Sequence, residues 1–194
     1  MLLALDIGNS EVSLGLFAGE DLERTWRVNT HPDRTADEWA VLLRALFEEG
    51  GLDITEVNGS VLCSVVPTAT EAVSEALMVA TGTAPVVVAA DAPLPVKLEV
   101  DEPASVGADR VVNTLAASRL FGLDTVVVDF GTATTLDCVT ADGAYLGGII
   151  ADRYPRQTTL GWLLFLSGLG AFSISPLTNL VGAAQFQSTL MMRI

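Results

Sequence analysis

The sequence predicts a layered α/β fold built from two related halves. Segments of strand character alternate with segments of helical period along the chain, which is the signature of sheets covered by helices. One short pattern also occurs twice: an apolar strand that ends in Asp, then an apolar residue, Gly and a small polar residue, followed by a second strand. It stands at residues 3–10 and again 123 residues later, at 126–133. Two copies suggest two halves that face each other.

In chain order, residues 2–5 form an apolar strand ending at Asp6, Ile7-Gly8-Asn9-Ser10 is a turn, and 12–17 is the returning strand. A turn at Gly19-Glu20-Asp21 leads to a third strand over 22–28. Thr35 and Glu38 have the spacing of a capping box, and the helix they start carries Trp39, Leu42, Leu43, Leu46 and Phe47 at helical spacing before Gly50-Gly51 stops it. Residues 61–66 read as a buried strand. Pro67 suits the first turn of a helix that ends near Gly82, and 86–89 is a further strand. Residues 104–120 read as a helix with Gly122 as its stop. Residues 125–130, β-branched and apolar, read as a central strand, and 134–140 with 144–150 form a hairpin around Ala141-Asp142-Gly143.

A chain of 194 residues, half of them hydrophobic, has ample material for one large or two small domains. The net charge of −14 repels phosphate backbones, so no nucleic-acid partner is expected. ATP remains possible, held locally by backbone N–H groups and cations. Cys63 and Cys138 both sit in apolar strand-like runs, which favours two buried thiols over a disulfide and suggests a reducing cytoplasm. Asp6 interrupts the N-terminal apolar run, so a secretory leader is not expected. Residues 1–150 hold 23 acids and 7 bases, whereas residues 151–194 hold one acid and three bases. That compositional break is the sharpest in the chain.

The repeated strand–Asp–x–Gly turn suits phosphate chemistry. Gly lets the backbone approach a phosphate, the turn aims N–H groups and Asn or Thr side chains at its oxygens, and the Asp can hold Mg²⁺ or another cation. Two such turns facing each other can grip β- and γ-phosphates from opposite sides, although a single copy reads as well as an ordinary turn. Val106-Gly107-Ala108-Asp109-Arg110-Val111 places an acid and a base at the start of a helix. Asp109 there can accept a hydroxyl proton during phosphoryl transfer, and Arg110 can clamp a carboxylate or a phosphate. The plainer alternative is a helix-start acid beside a surface arginine. His31 lies in a polar loop and reads as solvated. No Cys/His spacing fits zinc, and neither a Gly-x-x-x-x-Gly-Lys-Ser/Thr loop nor a Gly-x-Ser-x-Gly elbow occurs.

These residues resemble the type III pantothenate kinase family. Asp6-Ile7-Gly8-Asn9-Ser10 is similar to its first phosphate loop and Ser64-Val65-Val66-Pro67 to its Ser-Val-Val-Pro element. Residues 102–110 are similar to its Pro-x-x-Val-Gly-x-Asp-Arg motif, Asp129-Phe130-Gly131-Thr132-Ala133-Thr134-Thr135 to its second phosphate loop, and Gly147-Gly148-Ile149-Ile150 to its Gly-Gly-x-Ile. The resemblance covers residues 1–150. It implies a duplicated actin-like, ribonuclease H-like fold, with a first domain over 1–121 and a second over 122–194 that is incomplete. It implies transfer of the ATP γ-phosphate to pantothenate, the first step of coenzyme A synthesis, in a cytoplasmic homodimer that uses Mg²⁺ and a monovalent cation (K⁺ or NH₄⁺). The implied ATP contacts are Asp6, Ile7, Gly8, Asn9, Ser10, Glu11, Val12, Ser13 and Thr132. Gly107, Ala108, Asp109 and Arg110 would bind pantothenate, with Asp109 as general base, and Asp129 would hold the monovalent cation.

Two departures matter. Ser10-Glu11 stands where the family has Thr-Asn, which sets an acid beside the nucleotide. After Ile150 the chain leaves the family pattern: residues 157–192 carry no charge, and 160–174 are apolar enough to raise the question of a membrane. A reading-frame change is the leading account of this tail, with a divergent or membrane-associating segment as alternatives. Poor solubility and little or no kinase activity are expected of the chain as written. The competing functions are a non-enzymatic accessory protein on the same fold, similar to Bvg accessory factors, and a kinase for another acceptor such as a sugar.

Overall fold

The computed structural model of the chain describes residues 1–89 and 91–150, so every expectation about residues 151–194 lies outside the described residues. The fold is α/β with two mixed sheets. The first has the order β3-β2-β1-β4-β5, from β1 (Leu2–Ile7), β2 (Glu11–Ala18), β3 (Asp21–Asn29), β4 (Gly59–Ser64) and β5 (Val86–Val88). The second has the order β6-β9-β8-β7, from β6 (Lys97–Leu98), β7 (Thr125–Phe130), β8 (Thr134–Val139) and β9 (Ala144–Ile150).

The repeat in the sequence is a repeat in the topology. β1 and β2 form an antiparallel hairpin with Asp6 opposite Ser13, and β7 and β8 form another with Asp129 opposite Thr135. In the first half β1 also pairs in parallel with β4. In the second half the corresponding edge of β7 has no strand on it among the described residues. The expectation of a central strand at 125–130 is therefore corrected. Among the described residues β7 lies at the edge of its sheet, and Val126, Val128 and Phe130 are exposed. An apolar, β-branched composition identifies a strand but does not say how many neighbours it has.

Registry sorts the first sheet into two faces. Leu3, Leu5 and Ile7 stand beside Leu16, Leu14 and Val12 and point into a core with α1 (Ala36–Glu49) and α2 (Pro67–Thr81). Trp39, Leu43 and Phe47 of α1 and Val73 and Leu77 of α2 are buried there, and Phe47 stacks on Trp26 with ring centroids 5.1 Å apart. The capping box is present as expected, with Thr35 Oγ1 accepting from Glu38 N and Glu38 Oε2 accepting from Thr35 N at 2.8 Å. α2 opens on Pro67 and closes on Gly82 with φ +76°.

Ala4 and Asp6 lie on the opposite face, with Val61 and Cys63 of β4 alongside. There the first sheet meets α3 (Ala108–Phe121), which packs against β4 on one side and β7, β8 and β9 on the other. The helix expected over 104–120 thus starts later. Pro103–Ser105 is a separate 3-10 turn, and Gly107, with φ −64° and ψ 148°, is extended and serves as the N-cap. Cys63 is buried and Cys138 is exposed, both as free thiols, so one of the two expected buried thiols is corrected. Cys138 falls on the outward side of β8 by strict alternation with Asp137 and Val139.

Candidate functional site

The turn between β1 and β2 is held in shape by the backbone. Gly8 N donates to Glu11 O at 3.0 Å, and Thr30, at the end of β3, donates from Oγ1 to Gly8 O at 2.7 Å and from N to Ser10 O at 2.9 Å. Thr30 was not a candidate in the sequence; only the β2–β3 pairing brings it under the loop. Asn9 and Ser10 are exposed at the tip. Ile7 and Val12 are wholly buried in the core, so only their backbone can meet a ligand. Glu11 is exposed and lies 3.9 Å from Arg27 Nη1, while Ser13 shares the face of Asp6.

The second turn, between β7 and β8, is braced by Gly131 N donating to Ala133 O at 3.2 Å. The two turns meet tip to tip: Ser10 Oγ and Thr132 Oγ1 are 2.7 Å apart, across 122 residues of sequence. The turns face each other as the repeat suggested; which residues touch is what sequence patterns leave out.

The N-terminus of α3 brings Asp109 within electrostatic reach of Asp6 and Asp129, the acids that precede the two turns. Asp109 is its second residue, half-buried, and accepts from Arg110 N at 2.8 Å through Oδ1. A Cβ on Gly107 would overlap the Asp109 carboxylate, so glycine is what lets that side chain fold over the helix start. Ala108, beside it, is buried. Asp6, Asp109 and Asp129 are close enough to act on one another electrically. Desolvation, and after it repulsion from Asp109 and Asp129, pushes Asp6 up to about 6. Asp129 is raised too, by desolvation first and then by Asp109 and Asp137, with Arg110 pulling the other way. The buried thiol of Cys63, opposite Asp6 in register, is pushed up to about 12 by burial and then by Asp6 and Asp109. Mutual repulsion of this kind is relieved when positive charge, or a phosphate that arrives with its cations, comes near.

Arg110 is not a free surface base. Its Nη1 donates to Asp137 Oδ1 at 2.6 Å and to Tyr145 OH at 3.0 Å, and Tyr145 OH donates to the same Asp137 oxygen at 3.0 Å. Asp137 is buried on β8 and Tyr145 on β9. Burial raises the Asp137 carboxyl above the usual range although Arg110 opposes the shift. His31 is exposed, as expected.

A model of the type III pantothenate kinase family matches residues 2–152. Among curated relatives, the type III pantothenate kinase of Moorella thermoacetica is 45% identical over 151 residues, covering 78% of this chain and 59% of that protein. Those of Thermomicrobium roseum and Thermobifida fusca are 46% and 45% identical over 153 and 152 residues, covering 78% of this chain and 58% and 59% of theirs. The chain thus spans a little under three-fifths of the length of these relatives.

Proposed function

We propose, from the premise that the chain belongs to the type III pantothenate kinase family, that it takes part in ATP-dependent phosphorylation of pantothenate to 4′-phosphopantothenate, the first step of coenzyme A synthesis. The observation that supports this best is the meeting of the two turns, with Ser10 Oγ 2.7 Å from Thr132 Oγ1, while the charges of Asp109 and Asp129 are felt at Asp6. In this reading residues 6–13 and Thr132 surround the triphosphate, one turn from each half (1–121 and 122 onward).

The acceptor lies against Gly107, Ala108, Asp109 and Arg110. Its primary hydroxyl attacks the γ-phosphorus, the bond to the bridging oxygen breaks and ADP departs, while the hydroxyl proton passes to the Asp109 carboxylate. Arg110 supplies donors to a carboxylate or carbonyl of the acceptor. In the same reading Asp6 would share Mg²⁺ with the phosphates and Asp129 would hold K⁺ or NH₄⁺, and these ions would offset charge on the transferring group; among the described residues no group of three acidic, His or Cys side chains could hold a metal ion by itself. A homodimer belongs to the same proposal, to be checked by sedimentation. Among the described residues no helix is long and apolar enough to cross a membrane.

The test is pantothenate-dependent ADP release, run with protein at concentrations near those of substrate so that slow turnover registers. ADP released only when pantothenate is present supports the reading. Nucleotide binding without any such release points to the accessory role instead.

A further inference from the structure

The mechanism above uses Arg110 but gives no part to Asp137 and Tyr145, which hold it, and the construction is unusual for a merely structural pair. Asp137 is 1% exposed, and its second oxygen, Oδ2, is buried with no hydrogen-bond partner among the described residues. A buried ion pair with an unsatisfied oxygen contributes little net stability, because desolvation offsets most of the attraction. The sheet is nevertheless shaped around it. A Cβ on Gly148, which stands opposite Asp137 in the β8–β9 register, would overlap Asp137 Oδ1 and come within 2.8 Å of Arg110 Nη1. Glycine at 148 therefore opens the slot in which the guanidinium reaches the carboxylate. Tyr145 closes that slot from the same strand.

We infer that Asp137, Tyr145 and Gly148 form a positioning device that fixes the guanidinium of Arg110 for the acceptor, binding one nitrogen from behind and leaving the remaining donors aimed at pantothenate. Asp137 is too deeply buried to touch a substrate, whereas the Arg110 side chain keeps 20% of its surface accessible. The device acts on one side chain that neighbours Asp109 in sequence, and so it bears on the acceptor and not on the nucleotide. This inference rests on the assignment of residues 107–110 to pantothenate.

The experiment is calorimetric titration of the 194-residue chain with pantothenate and, separately, with a non-hydrolysable ATP analogue, accompanied by the ADP-release assay. Tyr145→Phe removes one hydroxyl and should weaken pantothenate binding by about 2–10-fold. Asp137→Asn keeps the shape and removes the charge, and should weaken it by about 10–100-fold. Affinity for the ATP analogue should stay within about twofold in both, as the split between the two ligands requires. Because Arg110→Gln strands the buried Asp137 charge, it is paired with the double variant Arg110→Gln/Asp137→Asn, which removes both charges together. Adding Asp137→Asn to Arg110→Gln should cost no further pantothenate affinity if Asp137 acts only through Arg110. Equal losses for both ligands, unchanged pantothenate affinity in both Tyr145→Phe and Asp137→Asn, or additive losses in the double variant overturn the inference while an active parent leaves the function standing. A parent chain that neither binds nor phosphorylates pantothenate overturns the function, and the inference with it.

Discussion

At the end of β1 a single carboxylate shows what the site costs the fold. Asp6 has a folded value of about 6 against 3.8 for the free side chain, so the folded chain binds this proton more readily than the unfolded one. Its contribution to stability is complete below about 3.8 and is lost as the pH rises through about 6; Asp129 and Asp137 shift in the same direction. Because Asp6 is exposed, discounting for solvent leaves on the order of 1 kcal/mol. Asp6→Asn should therefore raise the melting temperature of the nucleotide-free protein by about 2–4 °C at pH 7.5 and by clearly less at pH 5. An equal gain at both values would show that charge repulsion is not the cause. Asp109→Asn should lower phosphoryl transfer by about 10²–10⁴-fold and leave binding of the ATP analogue within about twofold, since a general base does not hold the nucleotide. Near-parental activity in that variant would remove Asp109 from its role. These acids were legible because each lies in a local pattern: a strand end followed by Gly, or a helix start. Thr30 and Asp137 were not legible, because their partners lie 22 and 27 residues away and only strand pairing and helix packing bring them together.

Among the elements, those with their own start and stop signals were read most closely. α1 has the box at Thr35 and Glu38, and α2 has Pro67 and Gly82. Hydrogen bonds from Thr35 hold the Glu38 carboxyl below its ordinary value, so the box contributes above about 4.5 and its contribution fades as the pH falls below that. Thr35→Ala should cost about 1 kcal/mol in chemical denaturation near pH 7, with a smaller cost near pH 3. A pH-independent cost would mean that the box is not what Thr35 supplies. The start of α3 was misplaced because residues 104–106 have helix-compatible side chains, while the decisive feature, an extended Gly107 making room for Asp109, is a matter of backbone and contact. The edge position that β7 has among the described residues was illegible for a related reason: side chains specify faces, and neighbours are chosen elsewhere in the chain.

Taken as a molecule, the two halves are alike in plan and unequal in cover. The first sheet has α1 and α2 on one face and α3 on the other, while among the described residues the second sheet has α3 alone. Its outer face shows Val126 at 55%, Val128 at 39% and Phe130 at 77% exposed. A sheet face of this kind favours association. Val126→Thr with Val128→Thr should reduce binding of a hydrophobic dye and delay aggregation without altering the circular dichroism of the native chain. An unchanged dye signal would mean that this face is covered in solution. The duplication and the facing of its two turns were visible in the sequence, but the contact that joins them, Ser10 to Thr132, was not. The proposal that the two turns serve one site is tested most directly by transfer of label. With γ-³²P-labelled ATP, Mg²⁺, K⁺ and pantothenate in a single-turnover mixture, the label should appear in 4′-phosphopantothenate, and its appearance should be slowed in Asp6→Ala and Asp129→Ala with raised requirements for Mg²⁺ and K⁺. Label that stays in ATP although the nucleotide is bound, or that transfers with unchanged cation requirements in both variants, would contradict the account.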